Sequence, residues 1–140
     1  MICRWLTADN ADREPMKPHL NDYICVDLPE VWNWVPNDPK DVYYYMELTI
    51  GTGGKAGDLF GLTVSTPEAL SKRMRTLGQQ SLSGRHHLIV LDYSWNKVLQ
   101  FVNDVIDKCH GRDWEDISLK LARHFTWEFE DYIADADIVN

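Results

Sequence analysis

Residues 84–132 read GRHHLIVLDYSWNKVLQFVNDVIDKCHGRDWEDISLKLARHFTWEFEDY, and the fold is decided in this stretch. It opens on a strand signal, His87 to Tyr93, centred on the apolar run Leu88-Ile89-Val90-Leu91. Ser94 stands where a helix N-cap belongs, its hydroxyl able to accept from the first unpaired backbone N–H groups. Trp95, Val98, Leu99, Val102, Val105, Ile106 and Cys109 then recur at three- and four-residue intervals, the spacing of one helical face. Gly111 is expected to supply a left-handed stop. Asp113 is expected to cap a second helix carrying Trp114, Ile117 and Leu121, with Phe125 at the same period. The closing Trp127-Glu128-Phe129-Glu130-Asp131-Tyr132 alternates at first like a strand, yet Phe125, Phe129 and Tyr132 fit a helix as well, so both forms stay open.

Working outward, Thr66-Pro67-Glu68 has the form of a helix start: a hydroxyl cap, proline at the first helical position and an acid in the first turn. That helix should run to Leu77 and end at Gly78. Before it, the β-rich Val42–Ile50 and Leu59–Ser65 flank a glycine-rich turn region, which predicts a hairpin with a long loop. Tyr23 to Pro39 is interrupted by Pro29, Pro36 and Pro39 yet carries Trp32 and Trp34, so it reads as an ordered connection rather than a linker. Ala8 to Pro18 reads as loop, and Ile2 to Leu6 as a first strand. The order predicts a single α+β domain over residues 1–140: a mostly antiparallel β-sheet with about three helices packed on one face.

A chain of 140 residues with 44% hydrophobic content buries a core without staples. Its three cysteines, Cys3, Cys25 and Cys109, are widely spaced and form no C-x-x-C, so a disulfide framework is not expected and a cytoplasmic setting is. There is no signal-peptide pattern and no apolar run of membrane-spanning length. A net charge of −8 argues against nucleic acid as a partner. It suits simple solubility, or an acidic face that steers a basic protein partner.

Chemical motifs are weak throughout. Gly54-Lys55 resembles the end of a P-loop, but Thr49 and Ala56 stand at required positions and a strand follows where a helix is needed. His86 and His87 are adjacent on a predicted strand and cannot chelate together, and Cys109-His110 is too close for zinc-ligand spacing. Cys109 lies on an apolar helix face, as a core thiol would. Glu128 and Glu130 would share one strand face, an arrangement open to acid–base chemistry but commoner as a solvated face. No metal, cofactor or catalytic constellation is expected. Trp32 and Trp34 have two readings, packing onto the sheet or anchoring a partner.

Several pieces in order resemble the immunity protein 8 family of bacterial polymorphic toxin systems. They are Phe60-Gly-Leu-Thr-Val-Ser-Thr-Pro-Glu-Ala-Leu70, Gly84-Arg-His-His-Leu-Ile-Val-Leu91, Tyr93-Ser-Trp95, Trp114 and Trp127-Glu-Phe-Glu-Asp-Tyr132, with Gly51 after the first hairpin strand. The resemblance spans Val42 to Tyr132 and is slight before Pro39. It implies a small α+β protein, not an enzyme and without cofactor, that binds and neutralises a cognate toxin stoichiometrically. Trp95, Trp114, Phe129 and Tyr132 would then be scaffold. From Thr126 onward there are five acids and no Lys or Arg. The expected partner-binding set is therefore Trp32, Trp34, Asp38, Asp41, Glu128, Glu130, Asp131, Asp135 and Asp137, facing a basic toxin surface, with neither nucleic acid nor membrane as partner. The alternatives are a small cytoplasmic hydrolase built on Glu128 and Glu130, or an adaptor domain with no toxin.

Overall fold

A computed structural model describes residues 15–54 and 56–129. The expected first strand at Ile2–Leu6, Cys3, Tyr132 and the tail acids Glu130, Asp131, Asp135 and Asp137 lie outside those residues. Among the described residues five strands, β1 (His19–Ile24), β2 (Tyr43–Gly51), β3 (Asp58–Ser65), β4 (His87–Ile89) and β5 (Thr126–Trp127), form one sheet. Three α-helices among those residues accompany it: α1 (Pro67–Leu77), α2 (Trp95–Lys108) and α3 (Trp114–Leu121). The architecture is the expected α+β one.

The β2–β3 hairpin is the spine, in antiparallel register from Tyr43↔Ser65 to Ile50↔Asp58. Alternation decides its faces. Tyr44, Met46, Leu48 and Ile50 of β2 point one way with Phe60, Leu62 and Val64 of β3, and all are buried. They meet Val98, Val102, Val105 and Ile106 of α2, and Ile117 and Leu121 of α3, in one hydrophobic cluster closed by Phe125. The opposite face keeps Tyr43, Tyr45 and Leu59 partly in solvent. Gly61 belongs to that face, and a side chain there would strike the Tyr45 ring and hydroxyl that lie across it.

β3 is flanked on its second side by two short strands end to end. β4 pairs in parallel with Thr63–Ser65, and β5 pairs antiparallel with Phe60 and Gly61. The closing segment is therefore strand at Thr126–Trp127, which settles the ambiguity left by its periodicity. The strand stops there: Glu128 stands in a turn, and Glu130, expected to share a strand face with it, lies outside the described residues.

The caps behave as their chemistry dictates. Thr66 accepts from Ala69 N–H, Ser94 from Lys97 N–H and Asp113 from Asp116 N–H. Gly78 takes the left-handed conformation at φ 71° and closes α1. Gly111 does not play the matching role. α2 ends at Cys109 with φ −102°, and Gly111 instead forms a bridge with Met16. Its lack of a side chain matters because Asp116 Oδ2 and Ile117 Cγ1 sit where a Cβ would go, 2.7 and 3.0 Å away.

Three further expectations change. β1 starts after the expected loop to Pro18 and runs into the expected connection from Tyr23, and a bulge between Leu20 and Asp22 breaks the alternation that would have marked it. The strand predicted over His87–Tyr93 stops at Ile89: Tyr93 N–H leaves the sheet to donate to Pro39 O (2.9 Å), and Leu91 is exposed. α1 departs from the one-face arrangement. Its Arg73 guanidinium lies 4.4 Å over the ring of Tyr43, on the face turned away from α2 and α3.

Candidate interaction surface

The connection after β1 turns back on itself at once. Leu28 N–H donates to Cys25 O (3.2 Å), and a short 3-10 turn follows at Val31–Asn33, closed by Asn33 N–H to Glu30 O (2.9 Å). Val31 is fully buried and pins that turn to the core. Pinning Val31 inward sends Trp32 outward and lets Trp34 return. Trp34 packs edge-on against Tyr44, at 6.3 Å between ring centres, and tilts against Tyr93 at 5.5 Å. The hydroxyls of Tyr44 and Tyr93 share a hydrogen bond of 2.8 Å beneath it, and burial pushes both phenols upward.

Trp32 is 51% exposed. Its indole meets Tyr23 edge-on at 6.3 Å, and Tyr23 leans on Trp95 at 5.1 Å. Shallow recesses of about 310 and 300 Å³ flank it. One is lined by Leu20, Asp22 and Tyr23, and the other by Val35, Tyr93 and Trp95. Ile24, Val26 and Val35 are also exposed nearby in the chain, the two valines above 80%.

The same stretch of chain is rich in carboxylates, and Asp22 lines one of the recesses. Asp22, Asp27, Glu30 and Asp38 are exposed, and none forms an ion pair with another described residue. Between His19 and Asp41 the only base is Lys40. Asp38 Oδ1 accepts from Lys40 N–H (2.9 Å) and shapes the turn before β2. Asp41 is committed elsewhere, its Oδ2 lying 3.0 Å from Lys72 Nζ of α1.

The remaining described member of the expected set, Glu128, sits across the sheet. Its Oε1 accepts from Leu59 N–H at 2.8 Å while its own N–H donates to Leu59 O at 3.2 Å, so it extends the β3–β5 ladder. Trp32, Trp34, Asp38 and Asp41 thus belong to the connection between β1 and β2, whereas Glu128 belongs to the far edge. Asp22, Asp27 and Glu30, exposed in and beside the same connection, are not in the expected set. The signal that finds them is the charge count over residues 19–41, five acids to one base.

Neither described cysteine is poised for chemistry. Cys25 and Cys109 are buried free thiols, and burial pushes both upward, away from the thiolate. His86 and His87 diverge. His86 Nε2 lies 2.7 Å from Ala122 O, and His87 Nε2 lies 3.1 Å from Ser65 Oγ. Among the described residues no three potential ligands gather to hold a metal, and no helix is long and apolar enough to cross a membrane.

The described residues thus present one face of the sheet under α2 and α3, and an exposed indole in an acid-rich connection beside it. The sequence model of the immunity protein 8 family matches residues 19–132, and the chain belongs to that family. The match begins at β1, so it takes in the Trp32 connection, which the resemblance from Val42 onward had left aside. The family points to a non-enzymatic role with a protein, a toxin, as partner. No curated protein and no solved structure matches the chain.

Proposed function

We propose that this protein neutralises a cognate toxin by forming a stoichiometric complex with it in the cytoplasm of the producing cell. The observation that carries the reading is family membership across residues 19–132, nearly the whole of the described fold. An exposed indole in a stretch of chain whose Asp22, Asp27, Glu30 and Asp38 pair with no described cation supports a basic protein surface as the counterpart. A stoichiometric inhibitor of a lethal protein must hold its target at low concentration, so a Kd of about 1 nM or tighter is expected. An interface of roughly 1,600 Å² with well-packed anchors supplies that affinity.

The test is co-expression in a sensitive host. The toxin domain encoded immediately upstream should arrest growth alone and be tolerated when this protein is made with it. Arrest that persists in the presence of folded protein refutes the reading.

A further inference from the structure

Resting on that reading, we infer that the toxin docks on the surface centred on Trp32, and that it presents a basic rim around an apolar pocket that receives the indole. The docking surface so assigned is Trp32 with Tyr23 and the edge-strand Asp22, which line the recess beside it, and Val26, Asp27 and Glu30 of the same connection; Ile24, paired with Glu47, points to the other face of the sheet. The assigned surface is neither the acidic segment after Thr126 nor the uncovered face of the sheet.

Three observations converge on this place. The first is the contrast between neighbouring tryptophans. Trp34 is spent on Tyr44 and Tyr93, whereas Trp32 leaves half of its surface in water, and the hydrogen bonds that fold Val31–Asn33 do not depend on it. A large apolar side chain held outward is an interface anchor when its neighbours exclude water around it. The second is rigidity. Fully buried Val31, the turn closed onto Glu30 O, and the Tyr23–Trp95 pair beneath the indole fix its position before any partner arrives. Little ordering entropy is then lost on binding. The third is charge. Asp22, Asp27 and Glu30 pair with no described cation, and although Asp22 Oδ1 accepts from Tyr23 N–H (2.8 Å), a partner's lysines and arginines meet exposed carboxylates there.

The competing surfaces lack this conjunction. Glu128, the only described acid after Thr126, pairs through both its carboxylate and its own N–H with Leu59 and so belongs to the sheet edge. On the uncovered face, Tyr43 lies under Arg73, so a basic surface would meet a cation there first.

The probe is the purified toxin domain encoded by the adjacent gene, with binding kinetics followed at two salt concentrations. Trp32→Ala should weaken binding by about 30-fold or more, chiefly through faster dissociation. The triple variant Asp22→Lys, Asp27→Lys, Glu30→Lys should slow association by roughly 10-fold or more at low salt and flatten its salt dependence. All substituted side chains are exposed, so unfolding midpoints should stay near wild type and establish that the variants are folded. Ile89→Ser, on the uncovered face, should bind as wild type. The inference is overturned if Trp32→Ala and the triple variant bind like wild type, or if Ile89→Ser is the variant that loses affinity. Failure of the wild-type protein itself to bind overturns the immunity reading and this surface with it.

Discussion

Asp58 holds two indoles at once: Trp114 Nε1–H and Trp127 Nε1–H donate to the same Oδ2, at 2.8 and 3.1 Å. One carboxylate thereby joins the start of β3, the first turn of α3 and β5. Asp58→Ala leaves both donors short of a partner and is expected to cost about 2–4 kcal/mol, whereas Asp58→Asn, which keeps an acceptor oxygen, should cost clearly less. Urea denaturation of the three proteins checks the order. Trp114 and Trp127 are legible in the sequence as core aromatics, but their common acceptor is not. It lies 56 and 69 residues away, at the end of a turn region where an aspartate has an ordinary local explanation. The same limit separates Trp32 from Trp34. Two tryptophans one residue apart look equivalent until Val31 is known to be the buried member of the turn.

At the scale of elements, signals carried by a few adjacent residues were readable, and signals carried by distant pairing were not. The hairpin, the Thr66, Ser94 and Asp113 caps and the Gly78 stop all follow from local chemistry. β1 hides behind a bulge, and β4 is short because its chain leaves the sheet for Pro39. Thr66 shows how a local cap gains a second role. Its fully buried hydroxyl donates to Lys40 O (2.6 Å) and accepts from Val42 N–H (3.2 Å), so it also ties α1 to the strand entering the hairpin. Thr66→Ala is expected to destabilise by about 2–3 kcal/mol, above an ordinary cap, and Thr66→Ser to restore most of it, as read by thermal or urea unfolding. Gly61 makes a separate case. Gly61→Ala should cost about 1 kcal/mol by displacing the Tyr45 ring, and that cost should largely vanish in a Tyr45→Ala background. A double-mutant cycle measures the coupling, and additive costs would show that the ring is not what excludes a side chain there.

Across the whole molecule, charge and protonation are unevenly placed. Asp27, Glu30 and Asp38 of the β1–β2 connection pair with no described cation, whereas Asp41 pairs with Lys72 of α1, a helix that also carries Arg73 and Arg75. Burial lowers the tendency of His87 and His124 to take a proton, with Arg123, Lys108 and His86 adding to the effect at His124. A folded-state pKa below the unfolded one means that the unfolded chain binds more protons as the solution is acidified. The stability these two histidines contribute is therefore full above about pH 6.5 and is lost as pH falls through and below that value. Asp116 adds a lower window. The Arg112 N–H first, and then Lys120 and Arg112, hold its carboxyl below the usual range, so its contribution fades only below about pH 4. Urea midpoints should drop between pH 7 and 5, and His87→Gln should reduce that drop; an unchanged slope in the variant would remove His87 from the explanation. The most direct measurement of the central claim is titration calorimetry of this protein against the toxin domain encoded beside it. A 1:1 complex with a Kd of about 1 nM or tighter is the predicted result. No binding between two folded proteins would contradict the account.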